Sequence, residues 1–174
     1  MDLSKSLNYS LSDLDIKKIC GETNIIKYPD LANYTNIDDI FDDKGRCILL
    51  FLTVDDHTGH WIAMIKKGNN IEYFDPYGTC PDCNKKWLTT QKLINLDQDK
   101  PLLPELFNRS GCKITYNVYP FQEDRAGINN CGRWCAMRLL YYKKSLKQFY
   151  DMVKKSGLDE DEYITKSSFQ ILKK

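Results

Sequence analysis

The stretch from Cys47 to Gly78, CILLFLTVDDHTGHWIAMIKKGNNIEYFDPYG, decides the fold. Residues 47–54 are continuously apolar and rich in strand-forming side chains, which predicts a buried strand. A polar turn leads to a second strand over 61–67, and a hairpin turn leads to a third over 71–75. The sequence therefore predicts a meander of consecutive strands and an α+β fold with a mainly antiparallel sheet.

The same meander brings two ionisable residues together. His60 stands at the start of the second strand and Asp75 at the end of the third. Antiparallel neighbours place these ends side by side, so the two residues are expected to touch. A carboxylate on one imidazole nitrogen fixes the tautomer and holds the ring. The only other histidine, His57, lies in a polar turn and is expected at the surface, although it remains an alternative base.

A second cluster follows some seventy residues later. Residues 131–142 are apolar at helical spacing, so Cys131 is predicted to begin a helix, where the helix dipole favours thiolate. Cys135 lies one turn further on and is assigned to the core. Gln122 follows a strand predicted over 113–121, and its amide and the N–H of Cys131 could together stabilise an oxyanion.

The rest of the chain fits one domain. At 174 residues it can bury one core, and we find no linker that divides residues 1–174. Further helices are predicted over 10–19, 85–96, 145–155 and 159–172, with a helical turn at 36–41.

Composition narrows the class of protein. The charged fraction of 28% and hydrophobic fraction of 42% are ordinary for a globular domain, and the net charge of +1 gives no support to nucleic-acid binding. No apolar run approaches the roughly 20 residues that span a bilayer, and the N-terminus does not resemble a signal peptide. Without a secretion signal, the seven cysteines are expected to be free thiols in a reducing compartment.

Cys80-Pro81-Asp82-Cys83 is a competing motif. A C-x-x-C can be half of a zinc site, a redox pair or two unremarkable loop thiols. Cys112 could add a third zinc ligand, but the sequence offers no second C-x-x-C and no obvious fourth ligand. We therefore predict no metal site, and a redox pair remains an alternative.

Three motifs together resemble the adenain-type and ubiquitin-like-specific cysteine proteases. Residues 58–63 (TGHWIA) are similar to the family's His-Trp strand start, and residues 73–78 (YFDPYG) to its acidic motif. Residues 130–135 (NCGRWC) are similar to its nucleophile motif, in the form found in capsid-maturation proteases of DNA viruses and virophages. The resemblance covers about 57–142.

The resemblance implies roles for five residues. Cys131 would be the nucleophile, His60 the base and acid, Asp75 the residue that orients His60, and Gln122 the oxyanion donor. Trp61 would contact substrate near the catalytic ring and shield the ring from water. The spacing from Gln122 to Cys131 is longer than is usual in the family. The implied fold is a single papain-like cysteine protease domain with the nucleophile at the N-terminus of a central helix.

The implied activity is that of a cysteine endopeptidase that cleaves capsid or scaffold precursors during virion maturation, next to Gly or other small residues. Its mechanism needs no metal or organic cofactor. An activating peptide or DNA is possible by the resemblance, no membrane is involved, and we expect a monomer in the infected cell and the virion, not a secreted protein. The alternatives are a protease that removes ubiquitin-like modifiers, an inactive protease-like binding module, and a redox protein that uses Cys80 and Cys83.

Overall fold

A five-stranded mixed sheet forms the centre of the computed structural model, which describes residues 2–174, with only the backbone described for Leu3 and Ser4. The strands lie side by side in the order of the chain: β1 Asn24–Lys27, β2 Arg46–Leu52, β3 Gly59–Lys67, β4 Asn70–Phe74 and β5 Lys113–Tyr116. The antiparallel β2–β3–β4 meander is the one that the sequence predicts.

The prediction of a mainly antiparallel sheet is wrong. β1 pairs with β2 and β5 pairs with β4, and both of these pairings are parallel. Parallel neighbours need a long crossover, and the chain supplies one in each case. Residues 28–45, with two short 3-10 helices, return the chain to β2, and residues 75–112 return it to β5.

Seven α-helices surround the sheet within the described residues. They are α1 Leu3–Leu7, α2 Asp13–Cys20, α3 Thr90–Asn95, α4 Leu102–Ser110, α5 Cys131–Leu140, α6 Leu146–Lys155 and α7 Glu160–Leu172. Two predictions need correction, and one helix was missed. The helix expected over 85–96 is a 3-10 turn followed by the short α3, the strand expected over 113–121 ends at Tyr116, and the sequence did not predict α4.

Both faces of the sheet are covered, which explains why β2 is buried at every position and apolar from Cys47 to Leu52. Alternate residues of a strand point to opposite faces. Ile48 and Leu50 belong to the core cluster shared with α5, α6 and α7, whereas Leu49 and Phe51 belong to the cluster shared with α4. The chain is therefore a single α+β domain, with helices on both sides of one sheet.

An ion pair anchors α5 to the sheet. The Arg138 guanidinium donates to both carboxylate oxygens of Glu72 on β4, over 2.8 and 3.0 Å. The arginine side chain is fully buried, and such two-bond contacts fix geometry as well as charge. Because α5 also packs against β3, the first residue of the helix is held over the sheet.

Candidate active site

His60 and Asp75 form the centre of the site. His60 is the second residue of β3, and Asp75 follows the last residue of β4. The His60 Nε2 lies 2.8 Å from Asp75 Oδ1, and both side chains are buried. The meander therefore brings together the two residues that the sequence predicts to be neighbours.

Asp75 is held as a carboxylate by a complete set of donors. Its Oδ1 accepts from His60 Nε2 and from the N–H of Tyr77, and its Oδ2 accepts from Thr79 Oγ1 and from Asn84 Nδ2. Burial alone would raise the pKa of the Asp75 carboxyl, but these hydrogen bonds and the charge of His60 bring that pKa below its usual value. Asp75 can therefore fix the His60 ring without becoming protonated.

The main chain at Asp75 is fixed as well. Its N–H donates to Asn117 Oδ1 over 3.0 Å, and Asn117 Nδ2 donates to its carbonyl over 2.6 Å. Asn84 is held in turn by the Tyr73 hydroxyl, which donates to Asn84 Oδ1. Asn84 and Asn117 are buried, and no motif in the sequence marks either one.

Cys131 faces the other side of the His60 ring. It is the first residue of α5, and within residues 2–174 no side chain caps that first turn. Burial would raise the pKa of the Cys131 thiol, but hydrogen bonding to His60, the His60 charge and the N–H groups of Trp61 and Gly132 lower it. Although burial opposes it, the hydrogen bonds to Asp75 and Cys131 raise the pKa of His60 well above its usual range. Both shifts act in the direction of a thiolate–imidazolium pair.

Gly132 lets the helix start approach the sheet. A Cβ at this position would lie 3.1 Å from Cδ1 of Trp61 and 3.3 Å from Cβ of Leu11. Trp61 is 7% exposed and belongs to the core beneath the site, so its backbone N–H can reach the Cys131 sulfur. Its role in contacting substrate and shielding the ring stays a prediction.

Gln122 lies in the same cleft despite its distance from Cys131 along the chain. Its N–H donates to the carbonyl of Pro76, which places it beside the turn after β4. Its Nε2 donates to the Tyr77 hydroxyl over 3.1 Å and to the Ile128 carbonyl over 3.4 Å. Its Oε1 is buried and has no partner among the described residues.

The long loop between Gln122 and Cys131 is fixed by α7. The buried Asp161 accepts from the N–H of Glu123 at one end of the loop, and from Asn130 Nδ2 and Trp134 Nε1 at the other. Burial raises the pKa of the Asp161 carboxyl. Residues 143–174 lie outside the recognised motifs, so this support could not be predicted from the sequence.

Two aromatic rings enclose His60. The Tyr77 ring is stacked on it, with centroids 5.0 Å apart and planes 22° apart, and Trp87 meets it edge-on at 5.2 Å. Sequence analysis assigned neither residue to the site. For Tyr77 a signal existed, since it lies two positions after Asp75 in the Asp-Pro-Tyr-Gly turn.

The alternative residues occupy different surroundings. The His57 side chain is 77% exposed and lies beside Asp56. Cys135 is buried in the core, where its thiol donates to the carbonyl of Trp61, and burial raises its pKa well above the usual value. Neither residue lines the cleft that contains His60 and Cys131.

Cys80 and Cys83 form a disulfide, with Cα atoms 5.2 Å apart. The expectation that every cysteine is a free thiol is therefore wrong for this pair, because the turn brings the two sulfurs together. Cys112 remains a free, half-buried thiol. In residues 2–174, no group of three or more His, Cys, Asp or Glu side chains could hold a metal ion.

A cleft of about 1080 Å³ opens over the site. Its lining includes His60, Tyr77, Trp87, Gln122 and Cys131, together with the acidic residues Glu160 and Asp161 of α7. No helix of residues 2–174 is long and apolar enough to cross a membrane.

The chain is 33% identical to the uncharacterized protein V9 of Sputnik virophage over 171 residues, which covers 92% of this chain and 97% of V9. The chain therefore belongs to the same family as this virophage protein. No protein-family model matches it.

Proposed function

We propose that this chain is a cysteine endopeptidase with Cys131 as nucleophile and His60 as base and acid. The proposal depends on one observation about the buried His60 ring. One of its nitrogens is hydrogen-bonded to Asp75, and the same ring is a hydrogen-bond partner of Cys131 at the start of α5. A structural histidine needs neither a thiol partner nor a cleft above that thiol. An inactive binding module would have no use for the arrangement.

The proposed reaction has two stages, acylation of Cys131 and hydrolysis of the resulting thioester. The Cys131 thiolate attacks the carbonyl carbon of the scissile peptide bond, and the π electrons of the carbonyl move to its oxygen. Collapse of this intermediate re-forms the carbonyl and breaks the C–N bond, and the amine leaves with the proton of His60. A water molecule then gives a proton to His60 and adds to the thioester. The acid departs, and the thiolate–imidazolium pair is restored.

The proposed substrates are capsid or scaffold precursor proteins of a virus, cut next to Gly or other small residues. The similarity to a virophage protein supports the viral setting, and the family resemblance supports the cleavage preference. The proposed enzyme is a monomer that acts in the infected cell and is packaged in the virion. The proposed chemistry uses only side chains and backbone groups of this chain.

Digestion of a peptide mixture tests the activity and the specificity together. The purified chain is incubated with a proteome-derived peptide library, and new N-termini are identified by mass spectrometry, with Cys131→Ala as control. Cleavage beside Gly or other small residues that is absent from the control supports the proposal. A stable adduct with a ubiquitin- or SUMO-aldehyde, without library cleavage, would favour the modifier-removing protease instead.

Labelling with iodoacetamide at about pH 6 should modify Cys131 selectively. An unperturbed thiol is almost fully protonated there, whereas a thiol with a lowered pKa is partly thiolate. Reactivity should fall only as the pH drops through the lowered pKa of Cys131. His60→Ala removes the hydrogen bond and charge that lower this pKa, and each unit of increase reduces the thiolate fraction about tenfold.

The matched control for that experiment is His57→Ala, which removes the exposed histidine. Its labelling profile should coincide with that of the unmodified chain, with the labelled sites mapped by mass spectrometry. A large loss in His57→Ala, or fast labelling of Cys131 in His60→Ala, would contradict the assignment of His60.

A further inference from the structure

The hydrogen bonds around Gln122 determine whether its side chain has an N–H free to stabilise an oxyanion. Both N–H groups of its amide are already used, one by the Tyr77 hydroxyl and one by the Ile128 carbonyl. A carbonyl oxygen can only accept, so the amide group that faces Ile128 must be the NH₂. Turning the amide over would set two acceptors against each other. Gln122 therefore has no free N–H to offer a substrate in this arrangement.

The Tyr77 hydroxyl, unlike the Gln122 amide, has a hydrogen that is free to be donated to a substrate. Its oxygen accepts from Gln122 Nε2, and no residue among 2–174 accepts its proton. Tyr77 lines the cleft together with Cys131 and Gln122. Its ring is stacked on His60, which is the hydrogen-bond partner of the Cys131 thiol. The hydroxyl is thus a donor without an acceptor among residues 2–174, on a residue that lines the same cleft as the nucleophile.

Burial and nearby negative charge keep the Tyr77 hydroxyl protonated. Burial, followed by the negative charge of the Cys131 thiolate, raises the pKa of Tyr77 to about 12. The phenol is therefore neutral at neutral pH and can donate. An accepted hydrogen bond from Gln122 also polarises the hydroxyl and strengthens the bond that it donates.

We propose that Tyr77 is the side-chain oxyanion donor, that Gln122 orients it, and that the N–H of Cys131 is the second donor. This inference rests on the proposed cysteine protease activity and specifies how that site stabilises its intermediate. As the Cys131 sulfur bonds to the carbonyl carbon, the electron pair displaced to oxygen accepts the Tyr77 O–H hydrogen bond. The proton stays on Tyr77, and the bond weakens again when the carbonyl re-forms.

Two reactions of one thiolate separate this role from a structural one. Acetylation of Cys131 by p-nitrophenyl acetate passes through a tetrahedral oxyanion, whereas alkylation by iodoacetamide displaces iodide at a saturated carbon and forms none. Tyr77→Phe keeps the ring on His60 and removes only the hydroxyl. Loss of one oxyanion donor slows acyl transfer by about 10²-fold or more in other proteases.

The experiment measures the burst of p-nitrophenolate and the iodoacetamide rate for the full chain, Tyr77→Phe, Gln122→Met and, as control, Tyr116→Phe. Tyr116 is an exposed residue at the end of β5 and does not line the cleft. We expect acetylation to slow by about 10²-fold in Tyr77→Phe. The loss should be smaller in Gln122→Met, with the iodoacetamide rate maintained in all four proteins.

Other outcomes overturn the inference in distinguishable ways. Normal acetylation of Tyr77→Phe, with a large loss in Gln122→Met, would return the donor role to Gln122 and leave the protease proposal standing. Equal losses of the acetylation and alkylation rates in Tyr77→Phe would show that Tyr77 only packs against His60 and does not donate to the oxyanion. Failure of the unmodified chain to form an acetyl adduct on Cys131 would remove the protease proposal as well.

Discussion

Replacing Cys131 with alanine is expected to abolish peptide cleavage without unfolding the protein. In the proposed mechanism the sulfur forms the covalent bond to substrate, and among residues 2–174 no other cysteine lines the cleft with His60. Cys135, one turn along α5, is buried and its pKa is raised. Removal of the nucleophile costs about 10⁶-fold in kcat in a well-studied serine protease, and a loss of similar size is expected here. Alanine is a good helix former, so the start of α5 should persist.

The measurement compares cleavage rates with thermal unfolding of the same samples. Cys112→Ala is the matched control, since it also replaces a free, half-buried thiol but lies outside the cleft. It should retain the full cleavage rate. Residual cleavage by Cys131→Ala above the uncatalysed background would exclude Cys131 as the nucleophile.

The central part of the fold could be predicted because its contacts are local. β2, β3 and β4 are joined by short turns, so a strand register that buries the apolar residues also places His60 beside Asp75. The start of α5 was readable for a similar reason, because the apolar spacing of 131–142 begins where the polar loop ends.

The edges of the sheet were not predictable in the same way. β1 is only four residues long, and its parallel pairing with β2 depends on a crossover whose path no local pattern determines. The helix α4 was not predicted, although Pro104 lies in its first turn, where a missing N–H costs little. The pairing of β1 and the formation of α4 both depend on long-range packing.

The residues that support the site were missed for the same physical reason. Asn84, Asn117 and Asp161 come from three distant segments, and each acts through one hydrogen bond or a few. A single buried amide or carboxylate has no periodicity and no neighbour in sequence that would reveal its partner. The sequence could indicate Cys131, His60 and Asp75 as candidate site residues, but not the network that holds them.

Asp75→Asn is expected to reduce the cleavage rate by about 10⁴-fold, the loss produced by the corresponding change in a serine protease triad. Each oxygen of Asp75 accepts two hydrogen bonds, and an amide has only one oxygen. If the new NH₂ faces His60, the ring nitrogen there must accept, and the proton moves to the nitrogen that faces Cys131. The neutral ring can then no longer take a proton at that nitrogen.

The pH profile separates this effect from simple loss of packing. The Asp75 hydrogen bond and charge raise the pKa of His60, so removing the charge should lower that pKa. The imidazolium, and with it the ion pair, would then be lost at a lower pH, which moves the alkaline limb of the cleavage profile downward. Asp161→Asn is the matched control, because Asp161 is also a buried carboxylate that accepts several hydrogen bonds but holds the loop before Cys131 and not His60. Its cleavage rate should fall with the loop, but the alkaline limb of its profile should stay in place. If Asp75→Asn cleaves within tenfold of the original rate with an unchanged profile, Asp75 does not orient the base and only supports the turn after β4.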